Sequence, residues 1–232
     1  MSIGSLIIKH HLLLWLAVPI YWAAQASLLK MALNSHAQKV NGQTPEVYPI
    51  QYFLGMMIQL VPLIVAALAR NDAFTLGTRI PLLVCVLICY AMVTDNDGKF
   101  EWHEYGTPLM VFLVVTTLTF MAWTQFPQVQ QFMAHHKTVF GILAAATMVL
   151  HILFGQGATM RKLWKMGAEN QSRLRGLDLQ FCRLAGFALP ATHYWFSYGG
   201  TDPFTIVSIA GGSGSLVIIF LYLRLKPAAR SA

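Results

Sequence analysis

Arg79, His151 and His193 stand inside otherwise apolar stretches of the chain, where packing alone does not call for them. Arg79 lies four residues into the run 75–94, or ~6 Å along a helix axis at ~1.5 Å rise per residue. A charge at that depth in a bilayer is costly unless it snorkels to the head groups, finds a counter-ion or faces an aqueous cavity, so it is read as a candidate ligand contact. Asp72 and Asp202 are the carboxylates expected to pair with it. His151 and His193 fall in the runs 138–160 and 179–199. An imidazole titrates near neutral pH, so each is either a hydrogen-bonded packing residue or the carrier of a coupled proton. There are no paired intramembrane carboxylates, no metal triad and no activated nucleophile, so no enzyme, cofactor or metal is expected.

These residues must be carried by membrane helices. The 232 residues are 56% apolar and 11% charged, a balance unsuited to a water-soluble domain. Spans read at 11–33, 48–69, 75–94, 107–125, 138–160, 179–199 and 203–225. They lack the alternation of barrel strands, and a chain crossing lipid must satisfy its own backbone hydrogen bonds, so seven helices are expected. The first span has no small-residue cleavage site and is expected to be retained. Eleven Lys and Arg fall on the side holding the loops after spans one, three and five plus the C-terminus, against three on the other. The C-terminus is therefore expected in the cytoplasm and the N-terminus outside. The net charge of +7 is then a topology signal, with the basic loop Arg161 to Arg175 beside anionic lipid heads, and nucleic-acid binding is not expected. Cys85, Cys89 and Cys182 lie within spans and read as small packing residues.

The segment Asp95 to Glu104 has the look of a calcium loop. Placing Gly98 at the glycine of such a loop sets Asp95, Asp97, Glu101 and Glu104 on ligand positions, but also sets Val93 where the first acidic ligand is required. It is read as a polar turn with four carboxylates.

Several positions invite bending. Pro19, Pro62 and Pro190 each remove a backbone donor inside a span, and the glycines of Gly155-Gln156-Gly157 loosen a fourth. Each is either a flexing point or a static kink. Gly211 to Ser215 is a run of small residues that lets a neighbouring helix or a ligand approach the backbone.

The chain also repeats itself. Asn71-Asp72-Ala73-Phe74-Thr75 matches Thr201-Asp202-Pro203-Phe204-Thr205 at three of five positions with an offset of 130. An offset of 131 sets Gln25 on Gln156, Lys30 on Arg161 and Gly55 on Gly186. Internal repeats in transporters usually put a solute site between them. Two similarly oriented three-helix units need a linking span to restore the side, and the run 107–125 has no partner in either unit. This implies a three plus one plus three plan, with the first repeat at 1–95, the linker at 96–137 and the second repeat at 138–232.

The stretch from Gly155-Gln156 through Trp195-Phe196-Ser197-Tyr198-Gly199 to Asp202-Pro203-Phe204 resembles the PQ-loop repeat of the SWEET sugar transporters, with Gly155 in the place of the proline. The resemblance implies two three-helix bundles about a linker helix, working by alternating access. It also implies a central pocket in which Trp195 stacks on the solute, with intramembrane prolines as flexing points. The family's pocket asparagines are missing. The corresponding stretches carry Ser208 in the second repeat and Thr78 and Arg79 in the first. Loss of both amides counts against a sugar, whereas a guanidinium suits a carboxylate.

The expected protein is an all-α integral membrane transporter of a small polar solute. Trp195, Arg79, Ser208, Thr78 and His193 contact the solute, and His151 or His193 carries a proton if transport is coupled. Homo-oligomer formation is left open. The alternative is a receptor on the same plan: the KDEL cargo receptor resembles SWEET proteins in fold and binds a peptide C-terminus through arginines, a role that Arg79 and Arg183 would suit.

Overall fold

A computed structural model describes residues 11–42, 50–95, 110, 113, 114, 116–118, 120, 121, 124–166 and 177–224, less the side chains of residues 165 and 166. The described residues form helices and turns, without a strand. In chain order the helices are α1 (Leu12–Val40), α2 (Ile50–Arg70), α3 (Ala73–Thr94), α4 (Pro127–His135), α5 (Lys137–Leu150), a π-helical turn (His151–Gln156), α6 (Gly157–Met166), α7 (Leu177–Tyr198) and α8 (Pro203–Arg224). Among the described residues, five segments are long and apolar enough to cross a membrane: α1, α2, α3, the continuous stretch Lys137–Trp164, and α8. The chain is an all-α membrane protein. Its large outward-facing side chains are apolar, among them Trp15, Trp22, Ile58, Ile88, Phe154, Phe196 and Phe220. A water-soluble protein would not tolerate such a continuous apolar coat.

The helices pack in a closed ring. Around it α3 lies between α1 and α2, α2 meets α5 and the π turn, α8 joins these to α7, and α7 returns to α1. α1 shows how the sequence achieves this. Its buried residues Leu14, Ala17, Tyr21, Ala24, Leu28, Met31 and Ser35 recur at alternating steps of three and four, which is one helix face. The small members of that stripe let α3 and α7 come close.

Two turns at one end of the ring are built alike. Asn71 closes α2 in the left-handed conformation (φ 54°), and Gly199 follows α7 at φ 91°. Asparagine and glycine adopt that geometry most readily. The Asp72 carboxylate then accepts from the Thr75 backbone N–H (3.1 Å), capping α3. The Asp202 carboxylate accepts from the Phe204 N–H (2.9 Å), capping α8.

Two expected boundaries change, the sixth span is too polar to count among the apolar spans, and the fourth lies partly outside the described residues. α1 runs to Val40 rather than residue 33, because Lys39 donates to the carbonyls of Val93 and of Asp95 (2.9 Å for the latter) and so ties its last turn to the end of α3. The stretch expected as the loop from Gln125 to Lys137 contains α4, started by Pro127 in its first turn. The sixth expected span is α7, a 22-residue helix that lies between α1 and α8, but its polar residues keep it out of the five apolar spans. The fourth, at 107–125, falls partly outside the described residues, as do Asp97, Glu101 and Glu104 of the acidic segment. Asp95 is buried and sits 3.4 Å from His36.

Candidate functional site

Polar side chains collect at two levels of the bundle. At the outer level the α2–α3 and α7–α8 turns are tied together by side-chain bonds, with His193 Nδ1 buried there without a hydrogen-bond partner among the described residues. Tyr194 of α7 donates to the Asp72 carboxylate (2.5 Å), and its oxygen is 3.1 Å from the Thr75 hydroxyl. Arg70 at the end of α2 pairs with the Asp202 carboxylate (2.7 Å) and lies over the ring of Phe204, 4.6 Å from its centroid. Each capping aspartate is thus held by a helix other than the one it caps: Asp72 by α7 and Asp202 by α2. His11 Nδ1 and His193 Nε2 are 3.2 Å apart beside them.

The middle level is built differently. Arg79 is 5% exposed; its Nη2 donates to the Tyr21 hydroxyl (2.5 Å) and its guanidinium carbon lies 4.2 Å from the Tyr21 ring centroid. The same carbon is 5.2 Å from the Phe187 centroid, and that of Arg183 is 5.8 Å from it, so two buried guanidinium groups lie by one phenyl ring. Arg183 donates to the Tyr52 hydroxyl and approaches the Met56 sulfur (3.9 Å). Glycines make the crowding possible. A Cβ on Gly211 would come within 2.6 Å of the Phe187 ring, and one on Gly186 within 3.3 Å of the Tyr21 ring.

Beyond Tyr52 the layer continues into the π turn. The His151 ring lies 5.5 Å from that of Tyr52 and is 1% exposed. A Cβ on Gly55 would stand 2.8 Å from His151 Nδ1, and one on Gly155 2.7 Å from it, so glycines from α2 and from the turn itself seat the imidazole. Gln156 is fully buried against Gly214 of α8, where any Cβ would collide with the amide. Among the described residues, both nitrogens of His151, both polar atoms of the Gln156 amide and Nε of Arg79 are buried without a hydrogen-bond partner.

The residues singled out in the sequence therefore separate. Arg79 and His151 share the middle layer. Arg79 neither snorkels nor pairs with an aspartate: Asp72 and Asp202 are engaged by Tyr194 and Arg70, and the guanidinium points to Tyr21 instead. His193 sits with the outer level, six residues or ~9 Å along α7 from Phe187. Thr78 is buried, but its hydroxyl donates to its own helix at Phe74 O (2.9 Å), while its carbonyl accepts from Gln25 (3.1 Å). Ser208 is buried on α8. Trp195 does not join them. It is 52% exposed and leans on Gly200, because it follows Tyr194 on α7 and so turns away from the face that Tyr194 buries.

Pro19, Pro62 and Pro190 lie inside α1, α2 and α7, and Gly155-Gln156-Gly157 spans the return from π to α geometry. Sequence reasoning passed over Pro81 in α3, two residues after Arg79, and the aromatic partners Tyr21, Tyr52 and Phe187. For one of these a signal existed, since the offset of 131 that equates Gly55 with Gly186 also equates Tyr52 with Arg183.

A cavity of about 280 Å³ lies away from this layer, between α2, α3 and the segment before α4. Its lining is mostly apolar, with Val61, Ile64, Leu83 and Phe120 beside Thr116 and Thr117, and it holds no charged side chain. No protein-family model, curated protein or solved structure matches the chain.

Proposed function

We propose that the protein is a transporter of a small solute bearing a carboxylate, working by alternating access between two three-helix bundles. The single observation that carries this reading is that Arg79 and Arg183 are both buried beside the same ring, Phe187. Arg79 is buried with an unsatisfied Nε, while the described aspartates serve other groups: Asp72 Tyr194, Asp95 His36, Asp178 Ser27 and Asp202 Arg70. A guanidinium held in a membrane interior without a carboxylate calls for an anion from outside. Its planar fork suits a carboxylate, and the sugar pocket's asparagines are missing.

The seven-span, three plus one plus three reading draws support from the ring order. In each trio the last helix lies between the first two, and the trios meet as α1 against α7 and α2 against α5. Under the repeat, Gly55 and Gly186 are equivalent, and each receives a ring from the first helix of the other trio, His151 and Tyr21 respectively. α7 then counts as the sixth span, its Gln180, Arg183 and His193 all buried. On this reading the architecture is SWEET-like, the N-terminus is outside, and the knitted level is an outer gate. Trp195 lies outside the pocket, and the solute is not a sugar.

The test is uptake by proteoliposomes given sugars, amino acids and carboxylates at two pH values. Carboxylate flux is expected, and its stimulation by a proton gradient would bring in a histidine. Sugar flux alone would overturn the substrate class. The arginine pair would also suit a carboxylate receptor, whose mark is saturable carboxylate binding without flux.

A further inference from the structure

The arginine pair accounts for an anionic group but leaves the other half of the middle layer unexplained. His151 and Gln156 stand at the two ends of the π turn. In π geometry the hydrogen bonds join residues five apart, so these two positions come nearly over one another on one face. Together they present four buried polar atoms without a partner among the described residues. An unsatisfied buried donor or acceptor costs free energy. Four on a single turn, itself a departure from α geometry of a kind frequent at functional sites, call for a ligand.

Resting on the carboxylate reading above, we infer that the π turn is a neutral hydrogen-bonding subsite for a hydroxyl on the same solute, which makes the substrate class a small hydroxy acid. The chemistry selects the group. A neutral imidazole offers one donor and one acceptor, and the amide offers donors and an acceptor, which matches a hydroxyl's ability both to give and to receive. A cationic group is disfavoured by Arg183, which reaches the site through Tyr52, and an anionic one would prefer the guanidinium itself. Continuity argues for one solute. Arg183 holds the Tyr52 hydroxyl, and the Tyr52 ring packs on His151, so anchor and turn share a wall. Gly55, Gly155 and Gly214 bring backbone rather than side chain up to the imidazole and the amide. All four atoms are shut off from solvent, so the hydroxyl enters as α2 and α8 move off the turn.

The experiment uses the full chain in nanodiscs and measures Kd by titration calorimetry for two matched pairs, lactate with propanoate and malate with succinate. In at least one pair the hydroxy acid is expected to bind about ten-fold or more tightly, since a site built around a hydroxyl discriminates against the analogue lacking it. In His151→Phe and, separately, Gln156→Met, that ratio is expected to fall towards one. For the volume-conserving Gln156→Met, melting temperature supplies a second readout: removing polar atoms that lack partners does not lower it, whereas removing bonded ones does. Equal binding within both pairs in the wild type, or a ratio that survives both substitutions, overturns the subsite. If no carboxylate binds, the arginine anchor fails first and the subsite with it.

Discussion

The outer and middle levels of the bundle use similar residue types to opposite ends. At the outer level Asp72, Asp202, Arg70, Tyr194 and Thr75 satisfy one another, and the partners come from different helices. In the middle, Arg79, His151 and Gln156 are as deeply buried yet leave five polar atoms without partners. Polar groups paired with each other fasten helices together, whereas polar groups held apart from each other wait for something else. The difference separates architecture from function where residue identity alone does not.

The largest effect on stability is expected where the outer level is cut. Asp202→Ala removes the partner of Arg70 and the cap of α8 together, and should cost about 2–4 kcal/mol, most of it from the stranded and largely buried guanidinium. Thermal unfolding in detergent would register it as a clear fall in Tm. Gly55→Ala comes next: its methyl would meet the His151 imidazole, and overpacking of this kind costs about 1–3 kcal/mol. If instead the variant melts like the wild type, the imidazole is not seated as described. Tyr194→Phe keeps the ring and loses the bond to Asp72, for about 1–2 kcal/mol. The accessibility of a cysteine introduced at the outer turns should rise in the same variant if this level is a gate. The smallest effect is expected from Trp195→Ala. Carboxylate uptake should stay within about two-fold of wild type, because the indole lies on the outward face, and a large loss would return it to the pocket.

Much of the fold was legible because apolar runs of membrane length leave few alternatives. The two capping aspartates stood out through the 130-residue offset, and the break near Gly155 through its paired glycines. α1 outran its reading because residues 34–40 are polar, and the bond from Lys39 to the end of α3 that keeps them helical joins residues 56 apart. Arg79 stood out because a charge in an apolar run is conspicuous, but its partner did not. Tyr21 and Phe187 look like ordinary apolar residues until α1 and α7 bring them against a guanidinium. Trp195 was misplaced for a related reason: a motif names a residue but not the helix face it occupies, and one step along α7 separates the buried Tyr194 from the exposed indole.

The most direct test of the carboxylate site is uptake by proteoliposomes bearing wild type or Arg79→Ala, with the protein's folding checked by its melting temperature. A charge-assisted contact of about 1.5–3 kcal/mol corresponds to a loss of carboxylate uptake on the order of 10- to 100-fold, and that is the predicted result. Sugar uptake that does not change when Arg79 is removed would contradict it.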